Sequence, residues 1–137
     1  PADSPEERPV LRLEGITKQY GVGILVGQET RKAVSDVLFR EIDKVRVKGK
    51  DEPITIYEPI GVEGEVDKAR MDEIKLWQQV LKMYRAQQWD QAELQLMNLQ
   101  KMNPECHLYE IYVGKIGEHR AHPPDQDWDG VTKFDTK

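Results

Sequence analysis

The side chains best suited to phosphate chemistry in this sequence are basic ones that lie near glycines. Residues 40–50, REIDKVRVKGK, are predominantly basic and contain the turn Lys48-Gly49-Lys50. A lysine ammonium acts as a point charge for phosphate, whereas a guanidinium such as that of Arg12 can make two parallel hydrogen bonds to it. Taken alone, however, Arg12 on a short helix and Lys48 in a charged turn are typical of solvated surface residues, and the basic run is typical of a solvated strand face.

Two histidines raise the question of a metal site. His119 and His122 are three residues apart at the end of a predicted helix. The third histidine, His107, follows the single cysteine, Cys106, and this pair is far along the chain from the other two. A structural zinc site needs four ligands, and no third or fourth ligand is evident. The two histidines are therefore interpreted as complements of the negative end of a helix dipole, and no metal ligand is predicted in this chain.

Composition excludes several classes of protein. The chain has 137 residues, of which 38% are hydrophobic and 33% charged, and its formal net charge is −5. General nucleic-acid binding needs a basic face, and a membrane-spanning helix needs ~20 apolar residues; neither is present in the sequence. The single cysteine, Cys106, rules out an internal disulfide and suits a reducing compartment. We therefore expect a cytoplasmic location, either as a free protein or as the cytoplasmic part of a membrane-anchored one.

The first part of the chain is predicted to contain short elements. Residues 1–11 are rich in proline and acidic side chains, which is typical of a disordered leader. A short helix is expected at residues 11–19 and is closed by Gly21. A short buried strand is expected at residues 23–26 (GILV), followed by a second short helix at residues 28–34.

A β-hairpin is predicted next. Residues 38–47 alternate in polarity, Gly49 and Pro53 interrupt the pattern, and ITIY resumes it at Ile54. Two β-rich runs around a glycine-containing turn favour antiparallel pairing. One face of the first strand is predicted to carry Phe39, Glu41, Asp43, Val45 and Val47.

The second part of the chain has the 3.6-residue periodicity of amphipathic helices. The helices are predicted between Val66 and Ala121, and the second is expected to end near Asn103-Pro104. The tail after Pro123-Pro124 is expected to be extended. The predicted core positions are Ile74, Trp77, Val80, Leu81 and Tyr84 in the first helix, Trp89, Ala92, Leu96 and Leu99 in the second, and Leu108, Tyr109, Tyr112, Val113 and Ile116 in the third. Trp128 and Phe134 are expected to anchor the tail onto the helices.

The second helix resembles one helix of a tetratricopeptide repeat. Its pattern runs from Trp89 through Ala92, Leu96 and Leu99 to Pro104, with a small residue where two helices pack closely and a proline that closes the repeat. Only one such unit is present in the sequence, and a solenoid normally needs at least three. An ordinary helical hairpin is therefore preferred over a peptide-binding repeat surface.

Several segments in order resemble class III nucleotidyl cyclases. They are residues 12–21 (RLEGITKQYG), 28–30 (QET), 39–43 (FREID), 45–50 (VRVKGK) and 52–58 (EPITIYE). The ending, residues 123–131, resembles the helical tail of many bacterial members. The resemblance covers residues 12–137, with residues 12–61 as the C-terminal part of a catalytic domain and residues 62–137 as a helical C-terminal extension. It implies an α+β fold: part of the cyclase's mixed sheet with short helices, then a tetratricopeptide-like helical hairpin, a third helix and an extended tail.

The resemblance also implies an activity and its residues. Cyclases convert ATP to cyclic AMP and pyrophosphate in signal transduction, or GTP to cyclic GMP, and the adenine reaction is preferred here. An arginine at the place of Arg12 stabilises the transition state, and a lysine at the place of Lys48 binds the triphosphate. The family's asparagine four residues earlier is replaced by Arg8. The aspartates that bind two Mg or Mn ions are expected upstream of this chain.

The same resemblance implies a partner and leaves one alternative. The family's active site lies between two catalytic domains, so a homodimer through the cyclase domain and a nucleoside triphosphate are the expected partners, with no nucleic acid and no membrane contact. Without the metal-binding aspartates, the isolated chain is expected to be inactive. The alternative function is a non-catalytic helical module, formed by residues 66–137, for dimerisation or protein interaction.

Overall fold

The computed structural model describes residues 15–47 and 52–134. The predicted leader, residues 1–11, lies outside the described residues. Within them, helices and strands combine as the sequence predicts, and the α+β class is confirmed. The elements are α1 (residues 15–20), α2 (Gln28–Ala33), β1 (Val37–Val47), β2 (Ile54–Val62), α3 (Lys68–Arg85), α4 (Trp89–Met102), α5 (His107–Ala121) and β3 (Thr132–Phe134).

The chain divides into two compact units. A sheet unit takes in Pro1–Val66 and the C-terminal segment Val131–Lys137, and a helical unit takes in Asp67–Gly130. The helical unit is therefore continuous in sequence, whereas the sheet unit is assembled from the two ends of the chain. No helix among the described residues is long and apolar enough to cross a membrane.

The sheet is mixed and has β1 at its centre. The strand order is β2-β1-β3, with β1 and β2 antiparallel, which confirms the predicted hairpin. β3 runs parallel to β1 and pairs residues 132–134 with residues 45–47. This third strand follows the entire helical unit in sequence, and so the sequence pattern of the hairpin gave no sign of it.

A β-bulge changes the alternation of β1. Glu41 lies opposite Tyr57 but Asp43 lies opposite Ile56, so Ile42 is an extra residue in β1. A bulge inserts one residue and therefore moves the following side chains to the other face relative to strict alternation. The prediction of one face from Phe39 to Val47 is consequently wrong. The buried positions of β1 are Arg40, Ile42, Asp43, Val45 and Val47.

The short elements before the hairpin differ in part from the prediction. α1 is helical up to Tyr20, and Gly21, at φ +67, follows it as expected of a helix-ending glycine. α2 is present as predicted. The predicted strand at residues 23–26 is wrong, because only Val26 pairs, through two backbone hydrogen bonds of 2.9 Å with Tyr57 of β2.

The helices of the helical unit begin and end at capping and stop residues that can be recognised in the sequence. Asp67 caps α3, since its carboxylate accepts a 2.8 Å hydrogen bond from the Arg70 N–H. α4 ends at Met102, next to the predicted Asn103-Pro104 stop. A helical hairpin followed by a third helix is thus present, whereas the likeness to a tetratricopeptide repeat stays a prediction. Of the predicted core positions all are buried except Trp89 and Val113, which are half-buried.

The tail contacts the two units through different residues. The Trp128 ring packs in the helical unit, 5.6 Å from the ring of Tyr84, as expected. Phe134 instead lies in β3, and its ring meets the edge of Tyr20 at 6.1 Å. The expectation that Phe134 anchors the tail onto the helices is therefore wrong, because strand pairing with β1 places it in the sheet unit.

Candidate functional site

Both predicted site residues lie outside the described residues. Arg12 lies three positions before Gly15, the first described residue of α1, and Lys48 directly follows Val47, the last residue of β1. The two elements that lead to them in sequence are described. The frame of the candidate site consists of α1, β1 and the contacts that fix one to the other.

α1 is attached to the sheet unit by one apolar and one aromatic side chain. Ile16 is 5% exposed and Tyr20 is 1% exposed. The Tyr20 hydroxyl donates a 2.5 Å hydrogen bond to Oδ2 of Asp43 on β1. A buried hydroxyl needs such a partner, because leaving it unpaired costs about 1–3 kcal/mol. This bond therefore fixes the end of α1 that is farther from Arg12.

Asp43 collects hydrogen bonds from three segments of the sheet unit. It is fully buried, and its Oδ2 accepts bonds from the hydroxyls of Tyr20 and of Thr132, the latter at 2.7 Å. Its Oδ1 accepts a 2.8 Å bond from the Lys44 N–H. We call Asp43, Tyr20 and Thr132 the Asp43 hub. The hub joins α1, β1 and β3, and hence the elements next to Arg12 and Lys48.

The hub was missed at the level of sequence. Asp43 falls in an alternating strand, and in that pattern an aspartate is expected on a solvated face. Asp43 is instead buried together with Val45 and Val47, the residues that share its parity after the bulge at Ile42. Thr132 lies 89 residues from Asp43, so no local pattern connects the two.

A second buried charge lies on the same strand. Arg40 is 1% exposed, and its Nε donates a 2.9 Å hydrogen bond to Oε1 of Glu58, its direct partner across β1 and β2. The expectation of a solvated basic face is therefore wrong for Arg40, although Lys44 is exposed as expected. This pair fixes the β1–β2 pairing.

His119 takes part in an aromatic cluster of the helical unit. Its ring stacks on Trp89 with centroids 4.9 Å apart and an angle of 11° between the planes. Its Nε2 lies 2.9 Å from the Tyr84 hydroxyl. Tyr84 also meets Trp128 and Tyr112 edge-on. The histidine is thus a packing and hydrogen-bonding residue of this cluster.

The described residues offer no ligand set for divalent metal ions. No group of three or more His, Cys, Asp or Glu side chains is arranged around a common point in the described part of the chain. The two buried carboxylates, Asp43 and Glu73, already accept hydrogen bonds from protein donors. The described residues therefore do not fit the pair of ions that the resemblance implies, and the resemblance itself assigns their ligands to upstream sequence.

Glu73 is the buried carboxylate of the helical unit. Its Oε2 accepts bonds from the Tyr109 hydroxyl at 2.5 Å and the Asn103 amide at 3.2 Å, and its Oε1 accepts a 2.9 Å bond from Arg70. Burial raises the pKa of Glu73, but these hydrogen bonds and the charge of Arg70 outweigh it, so the pKa lies below its ordinary value of 4.5. An open pocket of about 540 Å³ beside it is lined by Asp67, Ala69, Arg70, Glu73, Met102 and Asn103.

Comparison with known proteins supports a cyclase relationship over a short stretch. The chain is 51% identical over 51 residues to a protein named adenylate cyclase from Anabaena cylindrica. The match covers 34% of this chain and spans only 10% of the length of that protein. No protein-family model matches the chain, and no solved structure matches it. The chain is therefore similar to part of a protein with that name.

Proposed function

We propose that this chain is the C-terminal part of the catalytic region of a class III nucleotidyl cyclase, followed by a helical extension. The observation that carries the proposal is the 51% identity to a protein named adenylate cyclase. The mixed sheet is compatible with it, because the antiparallel hairpin ends at the segment that contains Lys48. The reaction would convert ATP to cyclic AMP and pyrophosphate, in preference to GTP to cyclic GMP.

The proposed chemistry needs cations placed around a triphosphate. The ribose 3′ oxygen attacks the α-phosphorus, and the bond to pyrophosphate breaks. Negative charge then grows on phosphate oxygens, so preorganised cationic donors lower the barrier. Arg12 would contact the α-phosphate in the transition state, and Lys48 would hold the terminal phosphates, with Gly49 allowing close approach of the backbone.

The described frame supports these roles through rigidity. α1 follows Arg12 and β1 leads to Lys48, and both are joined through the buried Asp43 hub. A site built on packed elements holds its groups more precisely than one on free loops. This supports a site in which the two cations contact different phosphates of one triphosphate.

Other parts of the machinery would come from outside this chain. Two Mg or Mn ions would be bound by aspartates upstream, and a homodimer of complete catalytic domains would supply the rest of each site in the cytoplasm. The isolated chain would be inactive for lack of these ions' ligands. The absence of a membrane-spanning helix among the described residues is compatible with this arrangement.

The test is an activity assay on a version of the protein extended upstream through the expected metal-binding aspartates. With ATP and Mn²⁺, the extended protein should produce cyclic AMP and the chain alone should not. Arg12→Ala should lower kcat about 100-fold or more, because a transition-state donor is lost. Lys48→Ala should mainly raise KM, because a ground-state phosphate contact is lost.

Lys32→Ala is the matched control, since Lys32 is an exposed lysine on α2 of the same unit. It should leave kcat and KM unchanged. An extended wild-type protein that is inert with every nucleoside triphosphate tried would refute the proposed function. Activity that survives Arg12→Ala and Lys48→Ala would refute the two site assignments.

A second candidate function is a non-catalytic interaction module. It is favoured by the exposed apolar side chains of α4, where Leu94 is 57% and Met97 is 51% exposed. The chain alone separates the two functions. The cyclase proposal expects weak ATP binding that Lys48→Ala abolishes. The interaction module expects no ATP binding and self-association that Leu94→Glu abolishes, measured by isothermal titration and analytical ultracentrifugation.

A further inference from the structure

The C-terminal strand contributes a specific polar contact to the sheet unit. β3 has only three residues, and Thr132 at its start donates its hydroxyl proton to Oδ2 of Asp43 at 2.7 Å. Val131, just before it, is 6% exposed. The strand therefore combines an apolar anchor with a hydrogen bond to a buried carboxylate, on residues that come after the whole helical unit.

The hub is unusual for a structural contact, because a buried carboxylate is costly. Burying an ionised group is tolerated only when its oxygens are paired. An apolar side chain at position 43 would fill this space without that cost. Val45 and Val47, on the same strand, are buried apolar residues of this kind. The carboxylate instead fixes direction, since two hydroxyls from separate elements must both point at one oxygen.

The elements that the hub fixes lead directly to the two proposed site residues. Tyr20 is the last residue of α1, whose described part starts three positions after Arg12 in the sequence. Asp43 lies two residues before the stretch of β1 that pairs with β3, residues 45–47, and this stretch ends directly before Lys48 in the sequence. A shift of 1 Å in a positioning element can cost about 100-fold in rate. The hub thus fixes the two described elements that lead in sequence to both proposed cations.

We propose that Thr132 is a positioning residue of the cyclase site: through Asp43 it fixes α1 and the end of β1, so that the C-terminal tail is part of the catalytic machinery. The inference rests on the proposed function. It assigns the tail a role in triphosphate binding, in addition to covering the edge of β1. Thr132 itself touches neither substrate nor metal.

The experiment compares Thr132→Val with Thr132→Ser in the upstream-extended protein, with ATP and Mn²⁺. Valine keeps the shape and loses the hydroxyl, whereas serine keeps the hydroxyl. Thr132→Val should lower kcat/KM about tenfold, with a higher KM as well as a lower kcat. Thr132→Ser should restore both constants to within about twofold of wild type. Thr55→Val on β2 is the matched control and should change neither.

The change in KM separates positioning from mere stability. Loss of folded protein lowers kcat in proportion to the folded fraction, measured by circular dichroism, and leaves KM unchanged. If Thr132→Val does not fold, Tyr20→Phe removes the other hydroxyl of the hub and should raise KM in the same way. An unchanged KM in the folded variants, or no rescue by serine, would overturn the inference. If the wild-type protein still turns over ATP in that case, the proposed function stands. An inert wild-type protein refutes the proposed function and this inference together.

Discussion

Each unit buries one carboxylate among its described residues, but the two carboxylates obtain their partners in different ways. Glu73 of the helical unit is paired with Arg70, Asn103 and Tyr109, which lie 3, 30 and 36 residues away within one continuous segment. Asp43 of the sheet unit is paired with Tyr20 and Thr132, which lie 23 residues before it and 89 residues after it. Glu73 includes the cation Arg70 among its partners, and Asp43 also accepts a bond from the Lys44 N–H.

The buried carboxylate of the helical unit thus finds its partners within one continuous segment, whereas that of the sheet unit needs residues from both ends of the chain. A continuous helical segment can close its polar contacts by local folding, because only short loops must be ordered. The sheet unit is complete only when β3 pairs with β1. Closing the long loop between these two strands costs more conformational entropy before any contact forms. The comparison predicts that damage to the C-terminal segment Val131–Lys137 is felt in the sheet unit and not in the helical unit.

Removal of the tail is expected to have the largest effect. A chain ending at Gly130 loses the burial of Val131, the Thr132 bond to Asp43 and the β3 pairing. The sheet unit should lose about 4 kcal/mol of stability. Hydrogen exchange of β1 amides should accelerate, while amides of α3 and α5 keep their protection. Equal acceleration in both units would show that they unfold together and would contradict the comparison.

Removal of one tyrosine hydroxyl from each unit should lower the stability of that unit by a similar amount and leave the other unit unaffected. Tyr20→Phe leaves Asp43 without one donor, and Tyr109→Phe does the same to Glu73. Each should cost about 2 kcal/mol, because each bond goes to a carboxylate in a buried site. Exchange should accelerate only in the sheet unit for the first variant and only in the helical unit for the second. Tyr57→Phe, on the half-buried face of β2, is the matched control and should change stability by less than about 0.5 kcal/mol.

The last residue of the helical unit gives a smaller effect. Gly130 has φ +77, and a Cβ there would lie 2.8 Å from Cγ of Arg85. Gly130→Ala should therefore destabilise the helical unit by about 1–2 kcal/mol in urea unfolding. Gly117→Ala is the opposite control, since that glycine lies exposed within α5 and its Cβ would meet nothing. It should stabilise by up to about 1 kcal/mol, and the same sign for both variants would contradict this account.

The smallest expected effect is a loss of stability of the helical unit at acidic pH. The folded pKa of Glu73 lies below its ordinary value, so its ionised form stabilises the fold. That contribution is complete above the unfolded pKa of about 4.5 and is lost as the pH falls through the folded pKa. Thermal melts between pH 6 and pH 3 should show this loss. Glu73→Gln should flatten it, and an unchanged slope in that variant would assign the dependence to other carboxyl groups.

Much of the helical unit could be predicted from the sequence. The spacing of Ile74, Trp77, Leu81 and Tyr84 determines a buried helical stripe whatever it packs against, because periodicity and burial are coupled within one helix. The stop at Asn103-Pro104 follows equally from backbone chemistry. The hairpin could be predicted as well, since a glycine turn between two β-rich runs leaves few alternatives.

Only the tertiary structure decided the frame of the candidate site. No local pattern marks Ile42 as the extra residue of a bulge, and the bulge is what allows Arg40 and Ile42 to be buried together with Asp43, Val45 and Val47. No pattern connects Thr132 or Phe134 to the sheet, because strand pairing across a whole helical unit depends on the path of the chain in space. Most of the helices and strands could be predicted from the sequence, and its resemblance to cyclases implies Arg12 and Lys48 as site residues. Folding decided which distant hydroxyls orient the elements that lead to them, because hydrogen bonds to a buried carboxylate are set by three-dimensional proximity and not by sequence spacing.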